Sequence, residues 1–163
     1  VSLVMPKTYV ATVAMLVDSK DEQSMSSTSP GHVRERTGYM QTQVDIITSQ
    51  KVAQKVVNDL QLTEEPTWRR AFEKATDGEG SIEAWLATVL RKQLRVDISQ
   101  SSVINIDFSW TNAEIAARVA NAFAKAYLEI GDKDGAREIL QEVLHEGDEQ
   151  QKSEAKSLLA RLG

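Results

Sequence analysis

The sequence predicts an α+β fold, in which a small sheet has helices packed on one face and is followed by a C-terminal helical cap. Strand and helix patterns alternate over residues 1–129, whereas the remaining residues have only helical periodicity. Two stretches near residue 100 follow each other, and each alternates apolar and polar residues so that a strand would have one apolar and one polar face. This pattern is typical of an antiparallel hairpin. Together these patterns place helices beside a small sheet.

The composition argues against an enzyme. The 163 residues are 41% hydrophobic, enough for one core with a small satellite. A net charge of −5 offers no basic surface for nucleic acid. Cysteine is absent and there are two histidines, which speaks against a thiol nucleophile, a zinc site or a catalytic triad. We therefore predict no catalytic, cofactor-binding or metal-binding residues.

The first third of the chain predicts one strand, one loop and two helices. The opening apolar "VSLVMP" is either an edge strand or the end of a membrane helix that Pro6 terminates. Residues 7–18 are β-branched with two largely apolar faces, which favours a central strand. The charged, Ser-rich residues 19–38 predict a mobile loop. Residues 39–62 are helical, and Ser49 divides them into two segments by capping the second.

The middle of the chain has clear start signals. Pro66 begins a short helix that stops before Gly78, and Ser81 caps the next helix. The hairpin strands, residues 94–99 and 103–110, follow. Thr111 and Glu114 form a predicted capping box for a long helix whose buried face carries three large residues. These are Val119, Phe123 and Tyr127.

The C-terminal stretch reads as a helical repeat. In "AYLEIGDKDGAREILQEVL", residues 126–144, the Gly131–Asp132 dipeptide predicts a tight turn between two helices. Gly147 separates the second helix from a third, whose leucines (Leu158, Leu159 and Leu162) cover the first pair.

Residues 1–129 resemble the extracytoplasmic domain of Wzz-type polysaccharide co-polymerases, of the exopolysaccharide subgroup. The resemblance rests on several stretches in order, including "WLATVLRKQLRVDISQSSVINIDFSW", and on the motif residues Pro6, Tyr9, Ser49, Leu60 and Leu62. It implies a domain in the periplasm, anchored in the inner membrane, that self-associates into oligomers beside a polysaccharide polymerase and its polymer. On this resemblance "VSLVM" ends a membrane helix.

The resemblance stops at Glu129. Residues 126–163 are instead similar to the C-terminal tetratricopeptide-like domain of FimV-type polar-organising proteins. The residues that carry this similarity are Tyr127, Gly131, Asp132, Ala136, Leu140 and Val143. The two resemblances imply a fusion, natural or engineered, with domains at 1–129 and 130–163 that share the helix 112–130.

Three sets of side chains are candidates for a binding role. Asp97 and Asp107 lie on the polar faces of neighbouring strands, where they could approach each other as the paired carboxylates of a glycosidase do, although a solvated surface explains them better. Trp68, beside two arginines, is the best candidate for an exposed aromatic that stacks on sugar. Arg34 and Arg36 belong either to a solvated loop or to a subunit contact.

The resemblances imply a non-catalytic scaffold that sets the length of an exported exopolysaccharide. The alternative is a protein-interaction module of a FimV-type polar or pilus-assembly hub, in which the helical C-terminal end is the working part.

Overall fold

The chain folds into two compact units, residues 1–126 and residues 127–163. The structure, a computed structural model, describes residues 5–17, 30–99 and 102–162. The predicted domain boundary, between residues 129 and 130, lies three residues beyond the division between the units. The "VSLV" stub falls outside the described residues.

The elements confirm the predicted α+β class. In chain order they are β1 (Tyr9–Leu16), α1 (Pro30–Ile47), α2 (Gln50–Asp59), a 3₁₀ turn (Leu62–Glu64), α3 (Pro66–Thr76), α4 (Ile82–Gln93), β2 (Leu94–Ile98), β3 (Val103–Trp110), α5 (Ala113–Glu146) and α6 (Glu149–Leu162).

The sheet has the strand order β1-β3-β2, and both of its pairs are antiparallel. Alternation along β3 separates a dry face, where Ile104, Ile106 and Phe108 are fully buried, from a half-exposed polar face. The predicted hairpin of β2 and β3 is confirmed.

The prediction that residues 7–18 form a central strand is wrong. Within the described residues β1 pairs with β3 alone and is therefore an edge strand, and Val10 and Leu16 are 61% and 76% exposed. The apolar residues of β1 are therefore not evidence that both faces are buried. The face that carries Val10 and Leu16 is exposed to solvent.

The predicted break between α1 and α2 is confirmed. The Ser49 hydroxyl accepts a 3.3 Å hydrogen bond from the Val52 amide, as an N-cap does. Arg91 of α4 donates from Nε to the Thr48 carbonyl at 2.7 Å, which satisfies a backbone acceptor at the end of α1. The break between the two helices is therefore stabilised by the Ser49 cap at the start of α2 and by the Arg91 side chain at the end of α1.

The predicted loop 19–38 is wrong over its second half. Helix α1 already begins at Pro30, and Gly38 lies inside it. Proline favours the first turn of a helix, and the later turns of α1 are packed through buried Met40 and Ile47. The polar first half of α1 is therefore helical although its sequence is typical of a loop. Residues 19–29 lie outside the described residues.

The later helix starts follow local capping rules. Helix α3 begins at Pro66 and ends where Asp77 enters the left-handed region with φ 54°. The Ser81 hydroxyl accepts from the Ala84 amide at 3.2 Å. For α5 the predicted cap at Thr111 is wrong by one residue, because Asn112 directly precedes the helix and accepts from the Ile115 amide at 3.0 Å.

The predicted turn at Gly131–Asp132 is wrong. Helix α5 runs from Ala113 to Glu146 through both residues, and the chain turns at the second Gly-Asp dipeptide, Gly147–Asp148. The predicted break at Gly147 is therefore confirmed. The predicted burial of three α5 residues is also confirmed, since Val119, Phe123 and Tyr127 are 1%, 0% and 8% exposed.

The two Gly-Asp dipeptides differ in the residue three positions after the aspartate. Asp148 accepts from the Gln151 amide at 2.9 Å, while Gln151 Oε1 accepts from the Asp148 amide at 3.0 Å. This reciprocal pair is a capping box and starts α6. Gly135 occupies the equivalent position after Asp132 and has no side chain to return the bond.

Candidate protein-interaction surface

The two candidate carboxylates do not face each other across the sheet. Asp97 lies opposite Asn105 in the β2–β3 register, whereas Asp107 lies opposite Arg95. Asp107 Oδ1 accepts a 2.6 Å hydrogen bond from the Thr12 hydroxyl. These contacts are those of a polar sheet face. Within the described residues, no cluster of acidic or histidine side chains has the grouping that a metal ion needs.

The prediction that Trp68 is an exposed aromatic is wrong. Its side chain is 5% exposed, and its ring centroid lies 5.0 Å from that of Trp110, which stacks on Phe108 at 5.9 Å. Trp68 shares the buried face of α3 with Phe72, four residues later. Its ring is therefore part of the core and is not presented to a sugar.

The other predicted positions are spread over the first unit. Pro6 is exposed before β1, Tyr9 begins β1, Leu60 ends α2, and Leu62 is buried in the 3₁₀ turn. Ser49 is a cap, so most of these motif residues have structural roles here. Arg34 is exposed on α1, while the side chain of Arg36 lies outside the described part. A subunit contact through these arginines stays a prediction.

The predicted repeat residues all lie on α5. Tyr127 is buried and Leu140 is half-buried. Gly131 is helical, and apart from its chain neighbours and the backbone of its own helix no described atom lies within 4 Å of the position that a methyl group would take there. The side chains of Asp132, Ala136 and Val143 lie outside the described part of the chain, so their predicted packing is untested.

Among the described side chains of the second unit, one large apolar side chain on each helix is exposed. Leu128 of α5 is 55% exposed and Leu158 of α6 is 43% exposed. On α6 the less exposed stripe is instead Lys152, Ala155 and Leu159, at helical spacing. Leu158 lies beside that stripe, so the prediction that it covers the first helix pair is wrong. The sequence pattern places all three leucines in the core and cannot distinguish Leu158 from the less exposed Leu159.

The negative charge of the chain is concentrated in the second unit. Residues 127–163 contain nine acidic and five basic side chains, whereas residues 1–126 contain fifteen and fourteen. Within the described part of this unit, Leu128 and Leu158 are therefore exposed apolar side chains on a segment of net negative charge. The sequence composition already contains this asymmetry, although it becomes visible only once the boundary between the units is known.

The chain matches a bacterial hub protein over a short stretch. It is 45% identical over 56 residues to the motility hub protein FimV of Pseudomonas aeruginosa PAO1, and equally to that of strain UCBPP-PA14. The match covers 34% of this chain and 6% of each relative. No family model and no solved structure matches. The FimV resemblance is thus supported in part, and no comparison supports the Wzz resemblance.

None of the described helices has the length and apolar character that crossing a membrane requires. The predicted anchoring in the inner membrane and the periplasmic location stay predictions.

Proposed function

We propose that this chain is a non-catalytic protein-interaction module of the FimV type, whose C-terminal helices bind partner proteins. The observation that carries the proposal is the 45% identity to motility hub proteins over 56 residues. The name of those relatives describes a hub, and a hub acts by binding other proteins.

The surface of the second unit supports a particular kind of partner. Leu128 and Leu158 offer apolar anchors, and the excess of acidic over basic side chains in residues 127–163 attracts positive charge. An amphipathic helix with a basic face matches both features, because its apolar residues cover leucine while its charges speed the encounter. Binding of this kind should weaken as salt concentration rises.

The role in setting polysaccharide chain length stays a prediction of the sequence. It is tested by placing residues 1–129 in the corresponding segment of an intact co-polymerase and measuring the length of the surface polymer. A shifted modal length would support that role for the first unit, and an unchanged length would speak against it.

The interaction proposal is tested with peptides of matched apolar pattern. The full chain is titrated into fluorescent amphipathic helical peptides that carry either basic or acidic polar faces, and binding is followed by fluorescence anisotropy. We expect the basic peptide to bind, with an affinity that falls with salt, and the acidic peptide not to bind.

Surface variants then locate the binding site. Leu128→Ser and Leu158→Ser should each weaken binding of the basic peptide about tenfold, as loss of an apolar anchor does. Met5→Ser is the matched control, since Met5 is 78% exposed but belongs to the first unit. Equal losses in all three variants, or tighter binding of the acidic peptide, would overturn the proposal.

A further inference from the structure

Among the described residues, none makes a hydrogen bond to the outer backbone groups of β1. The Val17 amide donates to the Ser102 carbonyl at 3.0 Å, so the groups of Val17 point toward β3. Backbone direction alternates along a strand, so the groups of Tyr9, Ala11, Val13 and Met15 also point toward β3. The N–H and C=O groups of Val10, Thr12, Ala14 and Leu16 therefore point outward. Within residues 5–17, 30–99 and 102–162, no hydrogen bond reaches them.

Within β1 itself, the features that normally keep edge strands apart are missing. Natural edge strands are blunted by lysine, proline, a bulge or short length. The eight residues of β1, "YVATVAML", contain no charge and no proline, and they pair with β3 in unbroken register. Val10 and Leu16 are also among the most exposed large apolar side chains of the described chain.

We propose that β1 is a dimerisation strand that pairs antiparallel with β1 of a second copy of this chain, with Val13 opposite Val13 of the other copy. The two three-stranded sheets then form one continuous sheet of six strands. The proposal concerns the first unit and is independent of peptide binding by the second.

The register follows from the two faces of the sheet. A two-fold axis perpendicular to the sheet keeps each side chain on its own face, so residues of the same face must lie opposite each other. With Val13 on the axis, Val10 lies opposite Leu16 and Thr12 lies opposite Ala14. Every outward N–H and C=O then finds a partner. A register centred on Thr12 would instead place Leu16 opposite Thr8, which lies outside β1.

A second copy fits this edge better than a strand of unrelated sequence. An uncharged strand can pair with itself without placing like charges opposite each other, which would be destabilising. The same register brings the exposed Val10 of each copy against the exposed Leu16 of the other, so both are removed from water. The complementarity is therefore a property of the strand itself.

The oligomeric state of the full chain is the first test. Sedimentation of residues 1–163, from low micromolar to near millimolar concentration, should show a monomer–dimer equilibrium. Ala14→Pro removes an outward N–H that β3 does not use and should raise the dimer dissociation constant about tenfold or more. Val10→Lys keeps the backbone intact and should raise the dimer dissociation constant in the same way. It serves as the test if the proline variant fails to fold.

A matched variant on the opposite edge gives the control. Ile98, in β2, is 40% exposed and also lies on an edge strand. Ile98→Lys should leave the dimer dissociation constant unchanged. A wild-type chain that stays monomeric throughout the series would overturn the proposal. So would a dimer that Val10→Lys leaves intact, or one that Ile98→Lys abolishes.

Cross-linking tests the register. Since the chain has no cysteine, Val13→Cys introduces a single thiol. A non-hydrogen-bonded antiparallel pair holds its Cα atoms about 4.5 Å apart, within disulfide range, so oxidation should give a covalent dimer. In Thr12→Cys the two thiols lie diagonally, with Cα atoms about 7–8 Å apart, and should not join. Efficient cross-linking through position 12 instead of 13 would overturn the proposed register.

Discussion

The hydroxyl of Thr12 donates a 2.6 Å hydrogen bond to Asp107 Oδ1, directly across the β1–β3 pair. The bond links the edge strand to the central strand through side chains on the polar face of the sheet. It gives Asp107 a structural partner and explains why an acidic residue is placed in the middle of that face. The Asp107 carboxylate is thus engaged in the pairing of β1 with β3.

Removing this hydrogen bond should cost a measurable part of the stability. Thr12→Val keeps the shape and the strand propensity but loses the hydroxyl, so we expect the free energy of unfolding to fall by about 0.5–1.5 kcal/mol. Urea denaturation followed by circular dichroism provides the measurement. Thr12→Ser retains the donor and is the control. Equal losses in both variants would attribute the effect to the strand backbone.

Replacing Gly131 distinguishes a helix from a turn at that position. In α5 the residue is helical, and a methyl group there meets no described atom within 4 Å beyond its chain neighbours and the backbone of its own helix. Gly131→Ala should therefore raise the free energy of unfolding by about 0.4–1 kcal/mol, because alanine loses less backbone entropy on folding. Thermal and urea unfolding would show the gain.

The matched control for this substitution is Gly78, where φ is +79°. Gly78→Ala should destabilise the protein by about 1–2 kcal/mol, since an L side chain is strained in the left-handed region. If Gly131→Ala destabilises by a similar amount, a turn exists at Gly131, as the sequence pattern predicts.

Local signals in the sequence predict the starts of α2, α3 and α4. Ser49, Pro66 and Ser81 mark helix starts through bonds made within a few residues, and such bonds need no knowledge of distant contacts. The errors arise where distant residues decide. The position of β1 in the sheet depends on pairing with β3, and the burial of Trp68 depends on Trp110, more than forty residues away.

The Gly-Asp turn is misplaced for a different reason. Two copies of the dipeptide occur, and the helical pattern around each is similar, but Gln151 alone can complete a capping box. The third residue after each aspartate is the signal that distinguishes them. The exposed leucines of the second unit are less accessible to prediction, because the exposure of a leucine next to a buried stripe depends on the exact rotation of the helix.

The capping box predicts that Asp148 carries the turn between α5 and α6. Asp148→Ala removes the acceptor for the Gln151 amide and should destabilise the start of α6 by about 0.5–2 kcal/mol. Hydrogen exchange of the amides at residues 150–152 would report this locally. Asp148→Asn keeps an acceptor and should exchange nearly as slowly as the wild type. Unchanged exchange in the alanine variant would show that the cap does not hold the turn.

Phe123 is the most demanding test of the α5 core face. Its side chain is fully buried, so Phe123→Ala should lower the free energy of unfolding by about 3–5 kcal/mol through lost burial and the cavity it leaves. Leu128→Ala, on the same helix but 55% exposed, should cost less than about 0.5 kcal/mol. A loss below about 1 kcal/mol at Phe123 would mean that this helix face is solvent-exposed in solution.

Truncation tests whether the first unit folds by itself. Among the described residues, the buried apolar side chains beyond Ala126 are limited to Tyr127, Ile130 and Ala155. A chain ending at Ile130 therefore keeps nearly all of the core of the first unit and should unfold in one cooperative urea transition. A chain ending before Val119 also loses Phe123 and should show no such transition. If both fragments unfold without cooperativity, the two units depend on a shared core, and the division of the chain at residue 126 does not describe its folding.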